Sequence, residues 1–148
     1  MCSLKQSRLD QLRYFSQYHP ESMGNLPSPI RSKLFNRYGS NYYQVCVCAM
    51  QGYRVNMEDS HLVQLSFQNH PQYAIFAIFD GHNGRKAAQY LSKHLVAKLD
   101  ELPSLSDNAQ IQNIILEMDE QFCASPDGEN GSTIVFALTK PIYYEPHN

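Results

Sequence analysis

Residues 73–79 are seven consecutive apolar positions, Tyr-Ala-Ile-Phe-Ala-Ile-Phe, and they end at an acid, Asp80. A run of this length without a charge predicts a β-strand that is buried on both faces, and such a strand holds the residue at its end rigidly. Gly81 comes next, and because it has no Cβ its backbone can turn sharply and its carbonyl can approach a ligand. Asp80 and Gly81 therefore present oxygen donors of the kind that Mg²⁺ and Mn²⁺ prefer in proteins.

Three further strands are predicted at residues 42–50, 62–67 and 132–138. The first has apolar residues on both faces, so we expect it to be buried, with Cys46 and Cys48 as packed thiols. The second alternates polar and apolar positions, which is typical of a strand with one face in water. The third follows a loop rich in glycine and asparagine.

Two amphipathic helices are predicted from apolar residues that recur three and four positions apart. The first helix follows Gly84. Its apolar face is formed by Ala87, Ala88, Leu91, Leu95, Val96 and Leu99. The second helix begins near Asp107, a residue type that commonly caps a helix N-terminus. Its apolar face is formed by Ile111, Ile114, Ile115, Met118 and Phe122. Each of these faces is expected to pack against a sheet.

The first forty residues have a different pattern, because Pro20, Pro27 and Pro29 are expected to interrupt any regular element. We therefore interpret residues 1–40 as an N-terminal appendage and residues 41–148 as the folded domain. A short helix in the appendage would be marginal unless it docked on another surface. Its apolar face would be formed by Leu4, Leu9, Leu12 and Phe15.

Composition narrows the class of protein. The chain has 148 residues, of which 43% are hydrophobic, enough for one modest soluble domain. A formal net charge of -2 gives no electrostatic reason to expect nucleic acid or an anionic membrane as the main partner. The four cysteines show no CxxC spacing and no signal peptide is apparent, so a reducing cytoplasmic or nuclear setting is expected. Cys2 occupies the position where N-myristoylation requires glycine.

A second acidic group, Glu58 and Asp59, precedes the strand predicted at 62–67, and Arg54 lies four positions before Glu58. In an extended segment Arg54 and Glu58 share a face, whereas Asp59 points the other way. Glu58 could therefore reach a metal held by Asp80, with Arg54 nearby. A guanidinium matches the geometry of a phosphate, so this combination suggests phosphoryl chemistry.

Three motifs in fixed order carry a resemblance to a known family. They are Met-Gln-Gly-Tyr-Arg at 50–54 with Met-Glu-Asp-Ser-His at 57–61, Phe-Asp-Gly-His-Asn-Gly at 79–84, and Gly-Ser-Thr at 131–133. The chain resembles the metal-dependent type 2C (PPM-type) serine/threonine protein phosphatases over about residues 38–138, the N-terminal half of their catalytic domain. The resemblance implies an α+β fold, here part of a two-sheet antiparallel β-sandwich flanked by α-helices.

The resemblance also implies a metal centre with two Mg²⁺ or Mn²⁺ ions. Asp80 would bridge the two ions, and Glu58 with the carbonyl of Gly81 would complete the protein ligands of one ion. Asp59 would order bound waters without touching the metals. The reaction implied is attack of a metal-activated water on a phosphorylated serine or threonine of a protein substrate.

The same resemblance implies roles for three further residues. His82 would act as general acid and protonate the leaving alkoxide. Arg54 would hold the phosphate oxygens. Thr133 would lie close to the site without contacting the ions.

The chain departs from the family in its acidic residues. Family members have two more metal-ligating aspartates, one in an Asp-Gly pair after a strand and one in an Asp-Asn pair, and neither is recognisable here. One ion would then have Asp80 as its only protein ligand, so at most one ion is well liganded. We therefore expect little or no phosphatase activity from this chain alone.

Several alternatives remain open. Asp80 could instead cap the following helix, and Arg54 with Glu58 could form a simple ion pair. The chain could be part of a longer enzyme, a catalytically inactive binding or regulatory module, or a truncated product with uncovered strand edges and poor solubility. A phosphoprotein is the expected partner, and we expect a monomer.

Overall fold

The computed structural model describes residues 25–142. These residues form two units, one comprising 25–35 with 48–57 and the other 36–47 with 58–142. The elements are β1 (Asn25–Gly39), β2 (Gln44–Arg54), β3 (Ser60–Gln64), β4 (Ala74–Phe79), β5 (Gly81–His82), α1 (Lys86–Asp100), α2 (Asn108–Cys123), β6 (Gly131–Ser132) and β7 (Val135–Thr139). Antiparallel sheets and two helices confirm the predicted α+β class.

Strand β1 pairs with β2 in a two-stranded sheet. The prediction that Pro27 and Pro29 would prevent a regular element is wrong, because both lie within β1. Proline has no N–H to donate, but residues two positions apart direct this group to the same edge of a strand. Both prolines can therefore be accommodated on the edge that does not face β2. The helix predicted around Leu4 lies outside the described residues, and the domain boundary at residue 40 stays a prediction.

The prediction of packed thiols in β2 is also wrong, since Cys46 and Cys48 are exposed. The strand alternates as expected, with Val45 and Val47 half-buried on the opposite face. Only the face of β2 that carries Val45 and Val47 is partly buried. Because both faces are apolar in the sequence, the pattern alone did not reveal which one would be covered.

Strand β4 lies in the middle of a three-stranded antiparallel sheet in the order β3-β4-β7. Ser60 of β3 is opposite Phe79, and Val135 of β7 is opposite Ile78. The start of β3, the end of β4 and the start of β7 therefore lie at the same end of this sheet. The strand predicted at 132–138 is divided into β6 and β7, separated by Thr133 and Ile134.

The hydrophobic core lies between one face of this sheet and the two helices. Helix α1 packs against β3, β4 and α2. The buried cluster comprises Phe67, Tyr73, Ile75, Ala77, Phe79, Ala88, Leu95, Leu99, Leu105 and Met118. Neither helix in the described range is long and apolar enough to cross a bilayer.

The opposite face of β4 is only partly covered, which corrects the prediction that both faces are buried. The Tyr43 ring meets the Phe76 ring edge-on at 5.5 Å, and the Tyr43 hydroxyl lies 3.0 Å from Oγ1 of Thr139. Farther along the same face, Ile78 is 63% exposed and Val135 is 72% exposed. The apolar run specified a strand but not a second covering layer.

Helix α2 begins as predicted, with Asp107 at its N-cap. The Asp107 carboxylate accepts hydrogen bonds from the backbone N–H groups of Ala109 and Gln110 at 2.9 and 3.2 Å. Bonds from the backbone and then the side chain of Gln110 hold the pKa of Asp107 below its usual value. Its negative charge is therefore stabilised at the positive end of the helix.

Candidate functional site

The two acidic segments meet at one end of the β3-β4 pair. Since Ser60 is opposite Phe79, the residues just before β3 and just after β4 are neighbours. A Cβ added to Gly81 would lie 2.5 Å from the backbone oxygen of Glu58 and 3.1 Å from that of Gly84. Only glycine permits this approach of the two backbones. The structure thus brings the backbones of Glu58 and Gly81 into close contact.

Asp80 is fixed through its backbone. Its carbonyl accepts a hydrogen bond from the N–H of Thr133 at 2.9 Å and from the hydroxyl of Ser132 at 3.2 Å. The residue as a whole is exposed. Helix α1 begins after Arg85 and has no side-chain cap, so Asp80 does not serve as its N-cap. The carboxylate is accordingly available at a rigid strand end, and Thr133 lies beside it.

His82 is placed by the short β5-β6 pairing, in which it is opposite Gly131. Its imidazole packs against the Cα of Gly131, where any Cβ would overlap the ring nitrogen Nε2. The histidine is nevertheless exposed. Gly131 therefore sets the position of the His82 ring, a contribution that the sequence analysis did not assign to it.

A loop before β6 holds the Asp80–Gly84 turn from the other side. Asn83, with φ of 58°, donates from Nδ2 to the carbonyl of Glu129 at 2.7 Å. The backbone N–H of Lys86 donates to Oδ1 of Asn130 at 3.3 Å, and the Lys86 ammonium pairs with Asp127 at 2.6 Å. Sequence reasoning missed these contacts. The only signal was that Asn83 and Asn130 each precede a glycine, as is typical of turns.

Arg54 belongs to the first unit. It ends β2, is exposed, and its carbonyl accepts a hydrogen bond from Nε2 of Gln51 at 2.9 Å. Its role as a phosphate ligand stays a prediction, as do the roles of the other site residues.

The donors at this sheet end fit a hard cation in type but fall short in number. Within residues 25–142, no three His, Cys, Asp or Glu side chains converge to hold a metal ion. The acidic side chains in these two segments are Glu58, Asp59 and Asp80, and together with the carbonyl of Gly81 they are all oxygen donors. Mg²⁺ is commonly held by one or two carboxylates and several waters. The oxygen donors present here are therefore of the type that suits a hydrated hard cation.

Comparison with known proteins agrees with this chemistry. A family model described as protein phosphatase 2C matches residues 43–141, which include both acidic segments and the Gly131-Ser132-Thr133 motif.

Individual relatives match over a similar range. A probable protein phosphatase 2C of Caenorhabditis elegans is 34% identical over 121 residues, covering 78% of this chain and 34% of that protein. Protein phosphatase 2C homolog 2 of Schizosaccharomyces pombe is 29% identical over 119 residues, which cover 68% of this chain and 32% of that protein. A probable protein phosphatase 1N of Mus musculus is 35% identical over 104 residues, which cover 64% of this chain and 26% of that protein. The chain thus spans about a third or less of the length of these relatives. Because the family model covers more than half of the chain and contains the sheet end described above, this chain belongs to the protein phosphatase 2C family.

Proposed function

We propose that this chain provides part of a catalytic centre that uses Mg²⁺ or Mn²⁺ to remove phosphate from phosphoserine and phosphothreonine residues of proteins. The observation that supports this most is the register of β3 and β4, which brings Glu58 and Asp80 to one end of the sheet. The match to protein phosphatase 2C spans this sheet end.

In this proposal the cation is held by Asp80, Glu58 and the carbonyl of Gly81. When bound, it lowers the pKa of water at the site and so supplies the nucleophile at neutral pH. The hydrogen bonds from Thr133 and Ser132 to the Asp80 carbonyl fix the backbone from which the carboxylate projects. Asp59 orients water near the ion without binding it.

The attacking water loses a proton to bulk solvent, and His82 supplies the proton that the leaving group needs. The oxygen of water forms a bond to phosphorus while the bond from phosphorus to the serine or threonine oxygen breaks. The imidazole, held against Gly131, donates a proton to the leaving oxygen. Arg54 offers its guanidinium to the phosphate oxygens. Thr133 contributes through its backbone contact with Asp80.

A second candidate function is a regulatory module that binds a phosphoprotein without hydrolysing it. It is favoured by the shortage of converging metal ligands within residues 25–142. A site with few protein ligands would hold its cation weakly, and turnover would be slow or absent.

The two candidates differ in what the full chain does with a phosphothreonine peptide. The first assay adds Mn²⁺ and measures release of phosphate and binding of peptide, with Asp80→Asn and the exposed Asp119→Asn as paired variants. Binding without release would favour the regulatory module. Release of phosphate by the parent chain would establish an active enzyme if Asp80→Asn abolishes it and Asp119→Asn leaves it unchanged.

A chimaera tests the site itself within a complete domain. Residues 43–141 would replace the matching segment of the Caenorhabditis elegans relative. Should the proposal hold, the chimaera hydrolyses phosphothreonine, and Asp80→Asn within it lowers the rate by about a hundredfold or more, since the principal ligand is lost. A folded chimaera whose rate is insensitive to Asp80→Asn would contradict the proposed role.

A further inference from the structure

A groove lies on the β1-β2 sheet, entirely within the first unit. It has a volume of about 410 Å³ and is lined by Pro29, Arg31 and Lys33 from β1 and by Met50, Gly52 and Tyr53 from β2. Positions two apart on a strand share a face, which explains the contribution from β1. The groove is thus a continuous surface formed by two neighbouring strands.

Gly52 accounts for the contribution from β2. Met50 and Tyr53 are three positions apart, so strict alternation would place them on opposite faces. Gly52 has φ of 66°, a left-handed conformation that is characteristic of glycine at a β-bulge. This turn of the backbone lets both side chains line the same groove. Met50 is 48% exposed and Tyr53 is 55% exposed, so both can contact a ligand.

The groove is positively charged in a protein that is negative as a whole. The described part of the first unit contains three cations, Arg31, Lys33 and Arg54, and no Asp or Glu, whereas the formal charge of the chain is -2. Arg31 and Lys33 are exposed and take part in no ion pair among the described residues. Within residues 25–142, both cations are thus placed where an acidic partner could contact them.

We propose that this groove binds an extended acidic segment of a partner protein. Arg31 and Lys33 lie two residues apart on one strand face, a separation of about 7 Å. Alternate side chains of an extended peptide have the same spacing, so two carboxylates at alternate positions can reach both cations together. The Arg31 guanidinium suits a carboxylate through two parallel hydrogen bonds. Met50 and Tyr53 provide apolar contacts for the side chain between or beside them.

Two other modes of binding fit the groove less well. Nucleic acid recognition depends on a wider basic surface than two side chains, and the chain as a whole is acidic. Addition of a peptide strand to β1 is disfavoured where Pro27 and Pro29 lack backbone donors. Side-chain recognition of carboxylates is the mode that the groove supports. The proposal does not depend on the proposed hydrolysis, so each can fail without the other.

The test uses the full 148-residue chain and a fluorescein-labelled peptide, Gly-Glu-Ser-Glu-Tyr-Glu-Gly, followed by fluorescence anisotropy. A matched peptide with glutamine in place of every glutamate keeps the length and the aromatic residue. The protein variant is Arg31→Gln with Lys33→Gln, and the control is Lys93→Gln, an exposed lysine of α1. Circular dichroism compares the fold of each variant with that of the parent chain.

The expected result is saturable binding of the glutamate peptide that weakens with added salt and falls by about tenfold in the double variant. Lys93→Gln should change the affinity less than about twofold, and the glutamine peptide should bind weakly to the parent chain. The proposal is overturned if both peptides bind alike or if neither binds. It is also overturned if the control loses as much affinity as the double variant. Tighter binding of a single-stranded oligonucleotide or of phosphatidylserine vesicles, lost in the double variant, would assign the groove to another class of ligand.

Discussion

Two glycines determine how closely the segments of the candidate site approach one another. Gly81 lets its backbone pack against that of Glu58, and Gly131 leaves room for the His82 imidazole. In both cases the space that a Cβ would need is already occupied. The difference between them is the neighbour, which is a fixed backbone oxygen at Gly81 and a rotatable ring at Gly131. Substitution of Gly81 should therefore lower the stability of the fold. Substitution of Gly131 should instead displace the His82 ring.

Gly81→Ala is expected to lower the free energy of unfolding by about 1–3 kcal/mol, because neither the Glu58 nor the Gly84 carbonyl can move aside freely. Gly39→Ala is the matched control, since a Cβ there would come no closer than 4.0 Å to the Tyr43 carbonyl. Urea denaturation measures both. Equal unfolding midpoints for the two variants would show that the backbones near Gly81 are not in close contact.

The Asp107 cap should make stability depend on pH. Its pKa is lowered in the folded state by bonds from Gln110 and Ala109, so the folded chain binds fewer protons than the unfolded chain in this range. The stabilisation is complete above the unfolded pKa and is lost as the pH falls through the lower, folded value. Asp107→Asn keeps an acceptor at the cap but cannot titrate. The urea midpoint of the parent chain should fall relative to that of Asp107→Asn below about pH 4, and parallel profiles would contradict this.

At the scale of elements, periodicity predicted the central strand and both helices because each carries its own apolar face. The apolar run at residues 73–79 corresponds to β4. The segments with apolar residues three and four positions apart correspond to α1 and α2. The errors have a different origin. Whether a strand face is buried depends on which other element packs against it. The local sequence around Cys46, Cys48 and Ile78 does not contain this information. Strand β1 was not predicted because its prolines were expected to prevent any regular element.

The candidate site was predicted in part for the same physical reasons. The acids at 58, 59 and 80 were identifiable because they flank predicted strands, and antiparallel pairing places their segments at the same end of the sheet. The contacts from Asn83 to Glu129 and from Lys86 to Asn130 join segments more than forty residues apart. No local pattern encodes such contacts, so only the structure could provide them.

Packing of α1 on the sheet should dominate the stability of the second unit. Leu95 is fully buried within the core, whereas Leu116 of α2 is 53% exposed. Leu95→Ala is expected to lower the free energy of unfolding by about 2–5 kcal/mol through lost contacts and a cavity. Leu116→Ala makes the same chemical change and should cost less than about 1 kcal/mol. Thermal unfolding followed by circular dichroism compares them, and similar losses would place the core elsewhere.

For the molecule as a whole, the open face of the central sheet is an exposed apolar surface. Ile78 and Val135 are directly opposite one another on β4 and β7 and are largely exposed. Such neighbouring apolar side chains favour association and dye binding.

Replacing Ile78 and Val135 together by threonine should reduce binding of the dye ANS and slow aggregation without loss of structure, since threonine is well suited to strands. Ile142→Thr is the control, because Ile142 is 90% exposed but lies outside the sheet. Static light scattering and ANS fluorescence provide the measurements. Unchanged ANS fluorescence and light scattering in the double variant, or an equal decrease in the control, would show that another surface causes the association.

The central claim is that the sheet end formed by Glu58, Asp80 and Gly81 holds a divalent cation. The most direct test is titration of the full chain with Mn²⁺, followed by the electron paramagnetic resonance signal of the free ion. The account predicts saturable binding of one Mn²⁺ that is lost in Asp80→Asn and kept in Asp119→Asn, whose carboxylate lies on α2. Identical Mn²⁺ binding by the parent chain and by Asp80→Asn, or no saturable binding by the folded parent chain, would contradict it.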